Sequence, residues 1–176
     1  ILAPDEINRL TEPKALTTFR RFDSEGEHEV SEVSMQDNFI IKGNNLLSLY
    51  SLLPKYKGKV KLIYIDPPYN TGSDSFGYND KFNRSTWLTF MRTRLELSKA
   101  LLSNDGAIYV QLDFHQAHYA KVLLDEVFGE DNFQREIIWR IGWLSGYKTA
   151  DKNWIRNHDT ILFYSKDASQ MTFNKY

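Results

Sequence analysis

The 176-residue sequence contains no cysteine. Disulfide bonds, a thiolate nucleophile and a cysteine-ligated zinc site are therefore excluded from it. Long apolar runs are also missing, since none approaches the roughly 18 residues of a membrane span, and no signal-peptide pattern opens the chain. These absences favour a soluble globular protein, in which hydrophobic residues make up 41% of the chain and can build the core.

Charge is nearly balanced overall but uneven along the chain. The net charge is −1, from 22 basic and 23 acidic residues. Residues 23–32 carry five carboxylates and no lysine or arginine, whereas the segment from Arg135 to Arg156 carries five basic and two acidic side chains. A surface that binds nucleic acid needs local positive charge, so overall neutrality does not exclude one.

Strand and helix patterns alternate after residue 37, which predicts an α/β fold with a mainly parallel sheet and covered faces. Residues 1–37 show little periodicity, and we expect an arm with one short helix there. The predicted helices are Asn44–Leu53, Thr86–Leu102 with Ser85 as its cap, and Gln116–Phe128. The predicted strands are Asn38–Lys42, Val60–Ile65, Ala107–Leu112, 133–141 and 159–165, with the second and third of these buried.

The most informative stretch follows the strand at Val60–Ile65, where Asp66-Pro67-Pro68-Tyr69 combines a carboxylate, two prolines and a flat ring. Ligands of open α/β sheets bind at the carboxyl ends of strands. Asp66 and the Pro67 carbonyl can accept the two N–H groups of an aromatic amine, which frees its lone pair for a methyl donor. Tyr69 can stack on the base. In the simpler interpretation, the two prolines only end the strand.

This stretch and its surroundings resemble the amino-group DNA methyltransferases, and among them the adenine-N6 enzymes of bacterial modification systems. Residues 66–72 are similar to the catalytic Asp-Pro-Pro-Tyr motif of that family, and the similarity extends over residues 38–166. The order of the motifs resembles the β arrangement of type III modification subunits. In that arrangement the catalytic half precedes the target-recognition region.

The resemblance implies a Rossmann-like methyltransferase fold that uses S-adenosylmethionine as its methyl donor. It implies that the Asp66–Tyr69 motif, including Pro68, is catalytic and holds an adenine flipped out of the duplex. The turn that carries Asn44 and Asn45 resembles the one beside the adenine of the cofactor. Asp66 and Thr71 complete the cofactor-binding residues that the resemblance implies.

The sequence departs from the family pattern in three ways. Asn44 stands where the family usually has aspartate, and Phe114 follows Asp113 where a second aspartate is common. An F-x-G-x-G turn, which in the β arrangement holds the methionine part of the cofactor after the target-recognition region, does not occur in these 176 residues. We therefore expect an N-terminal arm in residues 1–37. Residues 38–176 are then the catalytic part of an incomplete methyltransferase domain, truncated before the target-recognition region and the F-x-G-x-G turn.

Two segments are candidates for DNA contact. Residues 70–84 are rich in glycine, asparagine and aspartate, which predicts a loop that either closes over the substrate or is a plain connection. The segment from Arg135 to Arg156 interleaves basic and aromatic side chains, which suit a phosphate backbone and bases but also suit a strand pair with core tryptophans. The candidate DNA-binding residues are Phe76, Tyr78, Arg140, Lys148 and Lys152.

A metal site has little support in the sequence. His115 and His118 lie three residues apart on a predicted helix, with Asp113 just before them. Such histidines and carboxylates are more often polar residues on the protein surface, and methyl transfer from S-adenosylmethionine needs no metal. We expect no metal ligands.

The sequence thus predicts a site-specific DNA methyltransferase that acts on adenine N6 within a restriction-modification system. Two alternatives remain: methylation of cytosine N4, and a non-catalytic fragment that binds DNA or a partner. The expected partner is double-stranded DNA, and the resemblance also allows a restriction endonuclease subunit and a homodimer. By the same resemblance, we expect a cytoplasmic bacterial protein without membrane contact.

Overall fold

The computed structural model describes residues 9–10, 12, 16–34, 36–70, 83–142, 152 and 154–174. The chain divides into two compact units, Ile1–Pro54 and Lys55–Tyr176. The division lies inside a helix, whereas the sequence suggested a boundary after residue 37.

The first unit contains a small antiparallel hairpin, formed by β1 (Arg20–Asp23) and β2 (Gly26–Glu29). Every residue of both strands is exposed, and Arg20 pairs with Glu27 across the hairpin. The sequence did not predict these strands, because charged residues on both faces leave no apolar alternation to detect.

Helix α1 (Asn45–Tyr56) begins in the first unit, in agreement with the predicted helix. The strand predicted at Asn38–Lys42 is wrong, since those residues have no regular structure. An apolar run becomes a strand only beside a partner strand, and none pairs with it in the described part of the chain.

The second unit alternates strands and helices, as predicted. Each predicted element from residue 60 onwards is present, and Asn83 instead of Ser85 caps the long helix. These elements are β3 (Val60–Ile65), α2 (Arg84–Leu101), β4 (Leu102–Leu112), α3 (Ala117–Phe128), a 3-10 turn (Glu130–Asn132), β5 (Phe133–Arg140) and β6 (His158–Ser165).

The four strands form one mixed sheet in the order β3-β4-β6-β5. β3 and β4 are parallel, while β6 is antiparallel to both of its neighbours, β4 and β5. The expected mainly parallel sheet is corrected accordingly. β3, β4 and β5 do run in one direction, but β6 enters between β4 and β5 in the opposite direction. Apolar runs specify burial and not direction, so the sequence pattern did not distinguish the two arrangements.

Helices α2 and α3 cover one face of this sheet. Alternate residues of β4 are buried against them, from Leu102 through Ile108 and Val110 to Leu112. The prediction that β3 is buried is wrong, because Leu62 is 58% exposed and Tyr64 51% exposed. β3 is an edge strand of the described sheet, and these two side chains alternate with Ile63 and Ile65, which pack against the core.

Candidate active site

Three strand ends meet at one edge of the sheet in the second unit. β3 and β4 are parallel, so their carboxyl ends lie together, with Ile65 opposite Val110. β6 runs the other way, so its amino end, with His158 and Asp159, reaches the same edge. The Asp66–Tyr69 motif follows β3 directly and therefore lies where sheet ligands are expected.

The motif forms a turn that accepts a hydrogen bond from a residue of the hydrophobic core. Asp66 is exposed, and the three residues after it are partly buried. The indole nitrogen of the fully buried Trp87 donates a hydrogen bond to the Pro68 carbonyl at 2.8 Å. The next residue, Asn70, has a φ of 58°, a left-handed conformation that asparagine tolerates better than most residues. The two prolines therefore belong to a fixed turn and do more than end the strand.

The Tyr69 side chain connects this turn to β6. Its ring packs against the hydrophobic core, and its hydroxyl donates to Asp159 Oδ2 at 3.4 Å. Burial raises the pKa of Tyr69 well above its ordinary value. Hydrogen bonding to the Asp66 side chain raises it next, and the negative charges of Asp66 and Asp159 raise it further. Tyr69 is therefore a neutral hydrogen-bond donor at physiological pH.

Two buried carboxylates with exposed partners lie close to Tyr69. Asp159 and Asp113 are both buried, and Arg156 lies between them. One Arg156 nitrogen donates to Asp159 Oδ1, and the other lies 3.9 Å from Asp113 Oδ2. The ring of His115 contacts the same Asp113 oxygen at 2.6 Å. Buried carboxylates are costly unless they are paired, so Arg156 and His115 offset the burial of these two.

The sequence did not identify Asp159, Gln111, Arg156 or Trp87 as site residues. Gln111 Nε2 donates to Asp159 Oδ2 at 3.3 Å, and Gln111 Oε1 accepts a hydrogen bond from the Tyr64 hydroxyl. A signal was available for Gln111, which is the one uncharged amide in an otherwise apolar strand run. Arg156 and Trp87 had no comparable signal, because only the tertiary structure brings them to this edge.

The predicted cofactor residues Asn44 and Asn45 belong to the first unit. The Asn44 side-chain oxygen accepts hydrogen bonds from the backbone N–H groups of Leu46 and Leu47, at 3.0 and 3.3 Å, and so caps α1. The Asn44 amide nitrogen can donate a hydrogen bond to a ring nitrogen of an adenine, and S-adenosylmethionine contains an adenine. Thr71 lies outside the described residues.

Among the predicted DNA-binding residues, Phe76, Tyr78 and Lys148 also lie outside the described residues. Arg140 ends β5 opposite His158, so it lies at the same edge of the sheet as the Asp66–Tyr69 turn. Both Arg140 and Lys152 are exposed.

His115 and His118 do not belong to a recognisable metal site. His115 is paired with Asp113, and no group of three or more metal-ligating side chains occurs in the described ranges. Within the same residues, no helix is both long and apolar enough to cross a membrane.

Comparisons with known proteins identify the family of the chain. The DNA methylase family model (N6_N4_Mtase) matches residues 60–176. The chain is 47% identical to the probable type III restriction-modification enzyme HindVI Mod subunit of Haemophilus influenzae, over 98% of the chain and 24% of that protein. It is 31% identical to the type III restriction-modification enzyme EcoP15I Mod subunit of Escherichia coli, over 82% of the chain and 26% of that protein. The chain thus spans about a quarter of the length of these relatives.

A solved structure supports the fold independently. The PvuII DNA methyltransferase, described as cytosine-N4-specific, matches with a TM-score of 0.51 at 15% identity, covering 70% of this chain and 48% of that one. This likeness confirms the α/β methyltransferase fold, and the two Mod subunits confirm the resemblance to type III modification subunits. Because the family match covers well over half of its residues, the chain belongs to the N6/N4 DNA methylase family.

Proposed function

We propose that this chain is the catalytic part of a DNA methyltransferase that transfers a methyl group from S-adenosylmethionine to adenine N6. The observation that carries the proposal is the hydrogen bond from Trp87 to the Pro68 carbonyl. Because that carbonyl already accepts a hydrogen bond, we propose as acceptors for a substrate amine the Pro67 carbonyl and the exposed Asp66 carboxylate, which also interacts with the Tyr69 side chain.

These two acceptors suit an exocyclic amine. Asp66 accepts one N–H and the Pro67 carbonyl accepts the other, which draws the nitrogen lone pair out of conjugation with the ring. S-adenosylmethionine, when bound, supplies an electrophilic methyl group on sulfur. The amine nitrogen would form the new bond to the methyl carbon as the carbon–sulfur bond breaks and S-adenosylhomocysteine leaves, and it would afterwards lose one proton. A carboxylate is too weak a base for the neutral amine, but Asp66 can accept that proton from the methylated cation.

The base must leave the duplex to reach this turn, which costs a few kcal/mol. Tyr69 has a ring beside the two acceptors, and stacking on an aromatic side chain contributes about 1–3 kcal/mol per base. Stacking therefore offsets part of the cost of flipping. Asn44, Asn45, Asp66 and Thr71 are the residues that we propose for cofactor binding.

Adenine is the proposed target because the motif begins with aspartate, which the adenine-N6 enzymes of the family have. The names of the Mod subunits place those relatives in type III restriction-modification enzymes. We extend this context to the chain: its substrate is double-stranded DNA, and a restriction endonuclease subunit and a second copy are candidate partners in the cytoplasm.

The test uses the longest encoded form of the protein with radiolabelled S-adenosylmethionine and mixed-sequence duplex DNA. After digestion to nucleosides, we expect label in N6-methyladenine. Asp66→Ala removes a transition-state contact and should lower kcat by at least about 100-fold. Asp131→Ala is the matched control, because Asp131 is exposed and precedes β5 at the opposite end of the sheet.

Each other outcome has a definite meaning. Label in N4-methylcytosine would correct the target base and keep the reaction. An Asp66→Ala variant as active as the Asp131→Ala control would contradict the role of the motif. A folded protein that binds DNA but transfers no label would support the non-catalytic alternative.

A further inference from the structure

Asp159 is a buried carboxylate that directly contacts the catalytic turn. It begins the buried part of β6, and its two oxygens have different partners. Oδ1 accepts from Arg156, whereas Oδ2 accepts from the Tyr69 hydroxyl at 3.4 Å and from Gln111 Nε2 at 3.3 Å. The carboxylate thus links the motif on β3 to both β4 and β6.

We propose that Asp159 is a positioning residue of the active site, whose carboxylate holds the Tyr69 hydroxyl and thereby sets the ring against which the target base stacks. This inference rests on the function proposed above. Asp159 itself does not touch the substrate and acts through Tyr69.

The position of Tyr69 depends on such side-chain contacts. Tyr69 lies beyond the last residue of β3, so the β3–β4 ladder does not hold its backbone. Trp87 fixes the Pro68 carbonyl one residue earlier, and Asp159 fixes the far end of the tyrosine side chain. A stacking ring needs a defined position, and a tether at its hydroxyl fixes the direction in which the side chain points.

A second link ties β3 to the same carboxylate. The Tyr64 hydroxyl donates to Gln111, and Gln111 donates to Asp159. Two tyrosines on either side of Asp66 are therefore connected to Asp159, one directly and one through an amide. Asp159 is buried while its partner Arg156 is exposed. Burying a carboxylate is costly, so a buried Asp159 at this place is better explained by positioning than by stability.

The distance of 3.4 Å from the Tyr69 hydroxyl to Asp159 is long for such a bond. Catalytic hydrogen bonds are often long before substrate binds and tighten in the complex. The tether therefore matters most in the step that involves the stacked base, and its loss should affect kcat more than cofactor binding.

A double-mutant cycle tests the inference in the full encoded protein. The variants are Asp159→Ala, Asp159→Asn, Tyr69→Phe and the doubles, with kcat and the KM for S-adenosylmethionine measured for each. We expect Asp159→Ala and Tyr69→Phe each to lower kcat about tenfold, and the double variant to be no slower than the slower single. KM should stay within about twofold. Asp159→Asn keeps an acceptor oxygen for Tyr69 and should recover most of the rate.

Asp131→Asn is the matched control and should leave kcat unchanged, because this exposed side chain lies at the opposite end of the sheet. Effects of Asp159→Ala and Tyr69→Phe that multiply would overturn the inference. So would Asp159 variants that lower only the unfolding temperature. If Asp159→Ala does not fold, Tyr69→Phe decides alone, because it removes the tethered hydroxyl and keeps the ring. A wild-type kcat for Tyr69→Phe would then overturn the inference.

Failure of the proposed function has a different signature. A wild-type protein that transfers no methyl group, or one in which Asp66→Ala is fully active, contradicts the proposed reaction and this inference together. Methyl transfer that requires Asp66 but shows no coupling between Asp159 and Tyr69 contradicts this inference alone.

Discussion

Trp87 joins the core of the second unit to the Asp66–Tyr69 turn through one hydrogen bond, from its indole nitrogen to the Pro68 carbonyl. Trp87→Phe keeps a buried ring but leaves that carbonyl without its donor. An unsatisfied buried acceptor costs about 1–3 kcal/mol, which corresponds to a drop of about 2–4 °C in unfolding temperature per kcal/mol at this chain length. The turn should also loosen, so we expect kcat for methyl transfer to fall severalfold. Thermal unfolding and steady-state kinetics measure the two effects.

The control for the stability part is Trp154→Phe. Trp154 is fully exposed, so its replacement should change the unfolding temperature by no more than about 1 °C. If Trp87→Phe unfolds at the wild-type temperature and keeps the wild-type kcat, the hydrogen bond to Pro68 does not hold the turn.

Some site residues were predictable from the sequence and others were not, for a physical reason. Asp66 to Tyr69 are adjacent, so their chemistry is visible in one short stretch. Asp159 reaches Tyr69 across 90 residues, and only the reversed direction of β6 brings it there. Local patterns carry no information about such a contact.

The direction of β6 is the feature of secondary structure that shapes the site. A parallel β6 would begin at the opposite edge of the sheet, and its first residues would lie far from Asp66. The sequence predicted the bounds of β6 but not its direction, since both arrangements bury the same apolar run. The bounds followed from patterns within one element, whereas the pairing depended on contacts between elements.

Tyr164 joins β6 to α3 inside the core. Its hydroxyl donates to Asp125 Oδ1 at 2.6 Å, and the side chain is fully buried. Tyr164→Phe removes a hydrogen bond to a charged group, which is typically worth about 1.5–3 kcal/mol. Thermal unfolding of the variant should therefore begin several degrees below that of the wild type. Tyr119→Phe, which removes a hydroxyl from an exposed side chain, should unfold within about 2 °C of the wild type.

Tyr164 should also make the free energy of unfolding depend on pH. Burial, and then the Asp125 carboxylate, raise the pKa of Tyr164 above its ordinary value of 10.0. Above that pH the phenol ionises in the unfolded chain before it ionises in the folded one, so the unfolded state loses protons first. The stability contribution is complete below about pH 10 and falls as the pH rises further. Tyr164→Phe should lose less stability than the wild type between about pH 9 and pH 11, and parallel pH profiles would contradict this assignment.

The chain as a whole combines two compact units with a nearly neutral charge. Overall attraction to DNA is therefore weak, and the DNA binding that we propose would depend on where positive charge is placed. In the second unit, Arg140 lies at the sheet edge that carries the Asp66–Tyr69 turn. Arg92 lies on α2, where it pairs with Glu96 and Glu126. The two arginines carry equal charge but lie at different places, one at the end of β5 and the other on α2.

This difference gives a test of where DNA binds. Each phosphate contact adds about 0.9 to the slope of log affinity against log salt concentration, because binding releases condensed counterions. We expect Arg140→Ala to reduce the slope by about 0.9 and to weaken binding to all duplex sequences alike. Arg92→Ala removes the same charge from a residue already paired with two carboxylates, and its slope should match the wild type. Fluorescence anisotropy of labelled duplex DNA at several salt concentrations measures all three slopes. Wild-type slopes for both variants would show that DNA does not contact this sheet edge through Arg140. An equal reduction of the slope in both variants would indicate attraction by total charge.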